Sequence, residues 1–139
     1  LSSEVLLVDQ YFRFADNDTL EELFKLLSVC AVRRLKVVTS MDTLNIQAAY
    51  DRLYKIINTK PVSFEWIKAP SKYFHDRYII TDIGAVKAGQ GFMPEIMKGA
   101  HSDKLNINLV SYDEAQGVKE SLDVALESNK ASIEFSFEK

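Results

Sequence analysis

The order in which short apolar runs alternate with helical patterns is the strongest constraint on the fold. A strand-type run, Val5 to Val8, precedes a stretch whose apolar residues recur at the i, i+3, i+4 and i+7 spacing of a helix. A second run, Leu35 to Val38, precedes another helical stretch, and an alternating segment from Val62 to Trp66 follows. This strand–helix–strand order predicts crossover connections and parallel strands. The predicted inner helix faces hold Leu20, Leu23, Phe24 and Leu27, and then Ile46, Ala49, Tyr50, Leu53 and Ile57.

The second half of the chain reads as consecutive strands. Three segments have strand character: YFHDRYIIT, the short run from Ala85 to Ala88, and KLNINLVSY. The next segment, EAQGVKESLDVALES, has the spacing of a helix, and the last, ASIEFSFEK, alternates like a strand. We therefore predict an α/β fold with a mixed β-sheet flanked by helices on its two faces. Ligands of such sheets bind outside the carboxyl ends of the parallel strands, and the segments 9–11 and 39–40 lie at two such ends.

The segment FHDRYIITD, residues 74–82, carries one of the two histidines. Because side chains alternate across a strand, His75 and Arg77 are predicted to share one face. An imidazole can attack phosphorus or carry a proton near neutral pH, and a guanidinium offers two parallel donors to phosphate oxygens. Asp82 is a candidate to neutralise or orient this pair. Three residues are a weak signal, and on spacing alone a solvated polar face is the better interpretation. The opposite face is predicted to be core and holds Phe74, Tyr78 and Ile80.

The same residues carry a resemblance to a known family. His75-x-Arg77-x4-Asp82, followed by six residues and Gly89, resembles the HxK-x4-D-x6-G-S-x-N signature of the phospholipase D superfamily. FHDRYIITDIGAVKAGQGF, together with LLVDQYF near the start, more closely resembles the phospholipase D-like domains at the C-terminus of proteins with a microtubule-interacting and trafficking (MIT) domain. The similarity runs from about Val5 to Asn129. It implies that residues 1–139 form a single domain resembling one half of the phospholipase D fold, the C-terminal fragment of a longer protein.

The departures from the catalytic signature favour binding over catalysis. Arg77 stands where the enzymes carry lysine, Gln90 where they carry serine, and Phe92 where they carry asparagine. The MIT-associated domains share these departures, and the resemblance implies lost catalysis and retained binding to acidic membrane lipids. The first hypothesis is therefore a module for anionic phosphate groups, such as phosphoinositide or other acidic lipid headgroups. Its predicted contacts are His75, Arg77, Lys87 and Gln90.

Two alternatives stay open from the sequence. The first is a homodimeric, metal-independent phosphodiesterase (a nuclease or a phospholipase). In that enzyme His75 of one subunit attacks phosphorus, its copy protonates the leaving oxygen, and Arg77 and Asp82 complete the site. The second is a protein-interaction domain. The resemblance also implies a homodimer, because a two-histidine site needs two copies of the motif. The predicted interface residues are Phe92, Met93, Ile133, Phe135 and Phe137.

The net charge and the few cysteine and histidine residues limit the classes of ligand that the sequence predicts. The net charge of −3 argues against indiscriminate coating of nucleic acid, so nucleic acid is not the favoured ligand. Cys30 is the single cysteine, and with two distant histidines it predicts no zinc site; we expect no cofactor. Because its neighbours are apolar, we predict a buried thiol. No apolar run approaches the roughly 20 residues of a membrane span. We therefore expect a cytoplasmic domain that is peripheral at membranes if it binds lipid headgroups.

Overall fold

The chain folds into one mixed sheet with helices on both faces. The computed structural model describes residues 3–14, 18–40, 46–70, 72, 74, 76–88 and 107–139. Within these ranges the elements are β1 (Glu4–Val8), α1 (Asp18–Ser28), β2 (Arg34–Thr39), α2 (Ile46–Ile57), β3 (Ser63–Lys68), β4 (Arg77–Thr81), β5 (Ala85–Ala88), β6 (Ile107–Val110), α3 (Tyr112–Glu127) and β7 (Ser132–Phe137). The predicted α/β class and mixed sheet are confirmed.

The sheet has three parallel strands at its centre and antiparallel strands on both sides of them. The seven strands lie in the order β6-β5-β4-β1-β2-β3-β7. α1 and α2 connect β1 to β2 and β2 to β3, and these three strands are parallel. β4 pairs antiparallel with β1, and β5 and β6 continue that margin. β7 pairs antiparallel with β3. The carboxyl ends of β1, β2 and β3 consequently share one edge of the sheet with the first residue of β4.

Each face of the sheet has its own apolar core. The inner sides of α1 and α2 cover one face, where Phe24, Leu53 and Trp66 are almost completely buried. α3 covers the other face through Ala115, Leu122 and Ala125, which lie in one cluster with Val8 and Ile80. The predicted core positions of the 74–82 segment are confirmed, because Phe74, Tyr78 and Ile80 are buried in this second cluster.

The terminal strand packs on its own sheet. Phe135 stacks on Tyr50 of α2 with ring centroids 5.4 Å apart, and Phe137 meets Tyr54 edge-on at 5.8 Å. Ile133 remains 54% exposed. Of the predicted interface residues, two thus serve the fold of this chain, and one is left on the surface. Phe92 and Met93 lie outside the described residues.

The end of α3 has the geometry of a Schellman motif. Asn129 has a φ of 59°, in the left-handed region that asparagine tolerates better than most residues. The Lys130 N–H donates to the Ala125 carbonyl at 2.9 Å, and the Asn129 N–H donates to the Leu126 carbonyl at 3.2 Å. These bonds satisfy two carbonyls in the last turn of the helix and fix the backbone direction of Lys130 before β7 begins.

The prediction of a buried Cys30 is wrong. α1 ends at Ser28, and Cys30 lies exposed in the following turn, where its N–H bonds the Leu27 carbonyl at 3.1 Å. The helical period that would have buried position 30 no longer applies beyond the last turn. Among the helices in the described ranges, none is long and apolar enough to cross a bilayer.

Candidate functional site

A row of polar residues crosses the sheet at the edge where the parallel strands end. Thr39 pairs with Lys68, and Lys68 pairs with Ser132. Val8 of β1 pairs with Val38 of β2, so the next residue of β1, Asp9, lies opposite Thr39. Val8 also pairs with Tyr78 of the antiparallel β4, so Asp9 lies opposite Arg77 on that side. Five neighbouring strands therefore contribute to one polar row, which consists of Arg77, Asp9, Thr39, Lys68 and Ser132.

Asp9 organises the turn that leaves β1. Its side chain is fully buried, and its carboxylate accepts the Tyr11 N–H at 3.0 Å. Its carbonyl accepts the Phe12 N–H at 3.1 Å. This Asx-type turn brings the Tyr11 ring to the edge of the sheet, where the Arg77 guanidinium carbon lies 5.0 Å from the ring centroid. This cation–π contact positions the guanidinium, a group whose parallel N–H donors match phosphate oxygens.

Thr39 fixes the middle of the polar row in the core. It is 1% exposed, and its Oγ1 accepts the Trp66 indole N–H at 2.8 Å. The adjacent Ser40 donates to the Gln10 carbonyl through both its N–H, at 3.2 Å, and its hydroxyl, at 3.1 Å. The ends of β1 and β2 are therefore bonded to each other. Arg77 is half-buried and forms one end of the polar row.

Asp82 lies at the opposite edge of the sheet from Arg77. Its carboxylate accepts the Ser3 N–H at 2.8 Å and the Ser3 hydroxyl at 3.2 Å, and these bonds hold the pKa of Asp82 below its ordinary value. Five residue steps along and just beyond β4 place Asp82 about 16 Å from Arg77. The structure therefore does not bring together the arginine and the aspartate of the sequence motif. Asp82 instead binds Ser3, the residue just before β1, and so holds the start of β1 in place.

Lys87 lies on the other face of the sheet from Arg77. It pairs with Tyr78 across β4 and β5, so it shares the face of Tyr78 rather than that of Arg77. Its ammonium group lies 3.2 Å from Glu114 Oε2, and the Tyr78 hydroxyl donates to the same oxygen at 2.9 Å. Both interactions lower the pKa of Glu114, while burial raises the pKa of Tyr78. This cluster joins α3 to the sheet, away from the polar row.

Two predicted site residues, His75 and Gln90, lie outside the described residues, as does His101. In the ranges that the structure does describe, no group of three or more His, Cys, Asp or Glu side chains forms a candidate metal site. From the sequence, Lys68 is one of several basic residues available for a local basic pocket, and Ser132 has no predicted site role. Only the pairing register shows that they continue the row that starts at Arg77.

A comparison with models of known protein families found no match, and a comparison with curated proteins found none either. The resemblance to phospholipase D-like domains stays a prediction from the sequence.

Proposed function

We propose that this domain is a non-catalytic binding module for anionic phosphate groups, and that its site lies at the carboxyl edge of β1, β2 and β3. The observation that carries the proposal is the position of Arg77. Arg77 is half-buried at this edge, and its guanidinium carbon lies over the ring of Tyr11, which belongs to the turn after β1. His75, two residues earlier, and Gln90 are the further contacts predicted from the sequence. Lys87 is left out, because Glu114 binds it on the other face.

Electrostatics supports a local anion site in an acidic chain. The chain carries a net charge of −3, so long-range attraction does not draw anions to it indiscriminately. A guanidinium partly withdrawn from water interacts more strongly with a phosphate than one on an open surface does. The resemblance to MIT-associated domains names the ligand class, phosphoinositide or other acidic lipid headgroups, and with it a peripheral position at membranes.

The test is co-sedimentation with phosphatidylcholine vesicles that contain a phosphoinositide. Arg77→Gln is expected to weaken binding at least about tenfold, since a hydrogen bond to a charged group contributes roughly 1.5–3 kcal/mol. The matched control is Arg34→Gln at the opposite edge of the sheet, where Arg34 is bound by Glu138 at 2.8 and 2.9 Å. Both variants remove one positive charge. Equal losses of vesicle affinity in the two variants would mean that diffuse surface charge, and not a site at Arg77, causes binding. That result would contradict the proposal.

The phosphodiesterase alternative is tested on the same protein. A chromogenic phosphodiester without added metal is expected to be cleaved at background rate only. Metal-independent cleavage that disappears in His75→Ala would overturn the non-catalytic assignment. If the domain binds neither these vesicles nor a soluble inositol phosphate, the protein-interaction alternative takes its place.

A further inference from the structure

A second cationic feature lies on the same edge as Arg77. A cavity of about 230 Å³ opens where β2 and β3 end and β7 begins. Its lining contains two ammonium groups and two hydroxyls, and none of the described lining residues carries a carboxylate. The lining consists of Ser40, Lys68, Ala69, Pro70, Lys130 and Ser132. The cavity is large enough for a phosphate group, and its ammonium and hydroxyl groups can donate hydrogen bonds to phosphate oxygens.

We propose that Lys68 and Lys130 form a second phosphate-binding site, so that this edge takes a ligand with two phosphate groups. The inference rests on the proposed function, because Arg77 supplies the first site. Three interstrand spacings of about 4.8 Å separate the β4 and β3 positions of the polar row, which puts the Arg77 and Lys68 backbones about 14 Å apart. The second phosphate is inferred from the cavity itself, because Lys68 and Lys130 line it and Arg77 does not. Two phosphates on one headgroup, or on adjacent headgroups of a bilayer, can occupy the two sites.

Both lysines are held on fixed backbone. Lys68 is the last residue of β3 and pairs with Ser132 in β7. Lys130 follows the left-handed Asn129, and its N–H is bonded to Ala125 at 2.9 Å. Ser40 anchors the facing wall through its hydroxyl bond to the Gln10 carbonyl. The backbone of both lysines is therefore fixed before a ligand binds, which lowers the entropic cost of binding.

Lys130 also follows the C-terminal end of α3, where a cation interacts favourably with the helix dipole. That role contributes to stability and not to phosphate binding, so the two roles are separable. If it were the only role, Lys130→Gln would lower the unfolding midpoint and leave phosphate affinity unchanged.

The experiment measures the affinity of four proteins for inositol hexakisphosphate by calorimetry. They are the wild type, Arg77→Gln, the double variant Lys68→Gln/Lys130→Gln, and a control, Lys55→Gln/Lys60→Gln. The control removes the same charge from a groove between α1 and α2, away from the polar row. The Lys68/Lys130 variant is expected to lose affinity at least about tenfold more than the control, the equivalent of roughly 1.4 kcal/mol. Unfolding midpoints confirm that each protein is folded.

The outcomes separate this inference from the proposed function. If Arg77→Gln weakens binding while the Lys68/Lys130 variant matches its control, the second site is refuted and the first stands. If only the Lys68/Lys130 variant weakens binding, the proposed function at Arg77 fails. Vesicles containing a phosphoinositide bisphosphate, tested with the same variants, identify the source of the phosphates. Parallel losses on vesicles assign a lipid headgroup, and losses confined to the soluble probe assign a free phosphate compound.

Discussion

Replacing Thr39 by valine tests whether the centre of the polar row is fixed by the core. The substitution keeps the side-chain shape and deletes the hydroxyl that accepts the Trp66 indole N–H at 2.8 Å. Trp66 is 1% exposed, so water cannot take over as the acceptor. A buried donor left without a partner costs about 1–3 kcal/mol in free energy of unfolding. With a urea m-value of about 2 kcal/mol per molar, a loss of 2 kcal/mol lowers the midpoint by about 1 M.

A double-mutant cycle isolates this hydrogen bond from general packing effects. Unfolding in urea is followed by circular dichroism for the wild type, Thr39→Val, Trp66→Phe and the double variant. In the Trp66→Phe background no indole N–H remains to be satisfied, so Thr39→Val should be nearly neutral there. An equal cost of Thr39→Val in both backgrounds, or no cost in the wild type, would refute the reasoning.

Three further predictions concern stability and association. Gly117 lies exposed within α3, and an added Cβ would meet nothing within 4 Å, so Gly117→Ala should stabilise the fold by about 0.5–1 kcal/mol in urea unfolding. The lowered pKa of Glu114 means that its interactions stabilise the fold above its unfolded pKa near 4.5 and are lost as pH falls through the lower folded value. The urea midpoint of unfolding, measured between about pH 6 and pH 3, should therefore fall less steeply with decreasing pH in Glu114→Gln than in the wild type. Equal dependence of the midpoint on pH in the two proteins would contradict this. Light scattering at micromolar concentration should show the homodimer predicted from the sequence, and a mass near 15.8 kDa would exclude it.

The secondary structure could be predicted because local pattern determines most of it. The spacing of Leu20, Phe24 and Leu27 places one helix face in the core, and all three are buried. The alternation around Tyr78 and Ile80 places both in the core for the same reason. Crossover connections then make the first three strands parallel, and their carboxyl ends form the edge where the segments 9–11 and 39–40 lie.

The arrangement of the site could not be predicted, because it depends on register. Arg77 and Lys87 are both basic and close in sequence, but the pairing of Tyr78 with Lys87 places them on opposite faces. Lys68 and Arg77 lie on strands that are separated by two others, and no local pattern shows that they occupy one row. The sequence motif likewise grouped Asp82 with Arg77, although an extended strand carries Asp82 to the far edge.

The most direct test of the phosphate site is its location in solution. Amide and arginine side-chain signals of the isotope-labelled domain can be followed by NMR while inositol hexakisphosphate is added. The account predicts saturable shifts at the Arg77 side chain and at the amides of Gln10, Tyr11 and Ser40, on the carboxyl edge of the parallel strands. Shifts confined to the opposite edge, around Arg34, would contradict it.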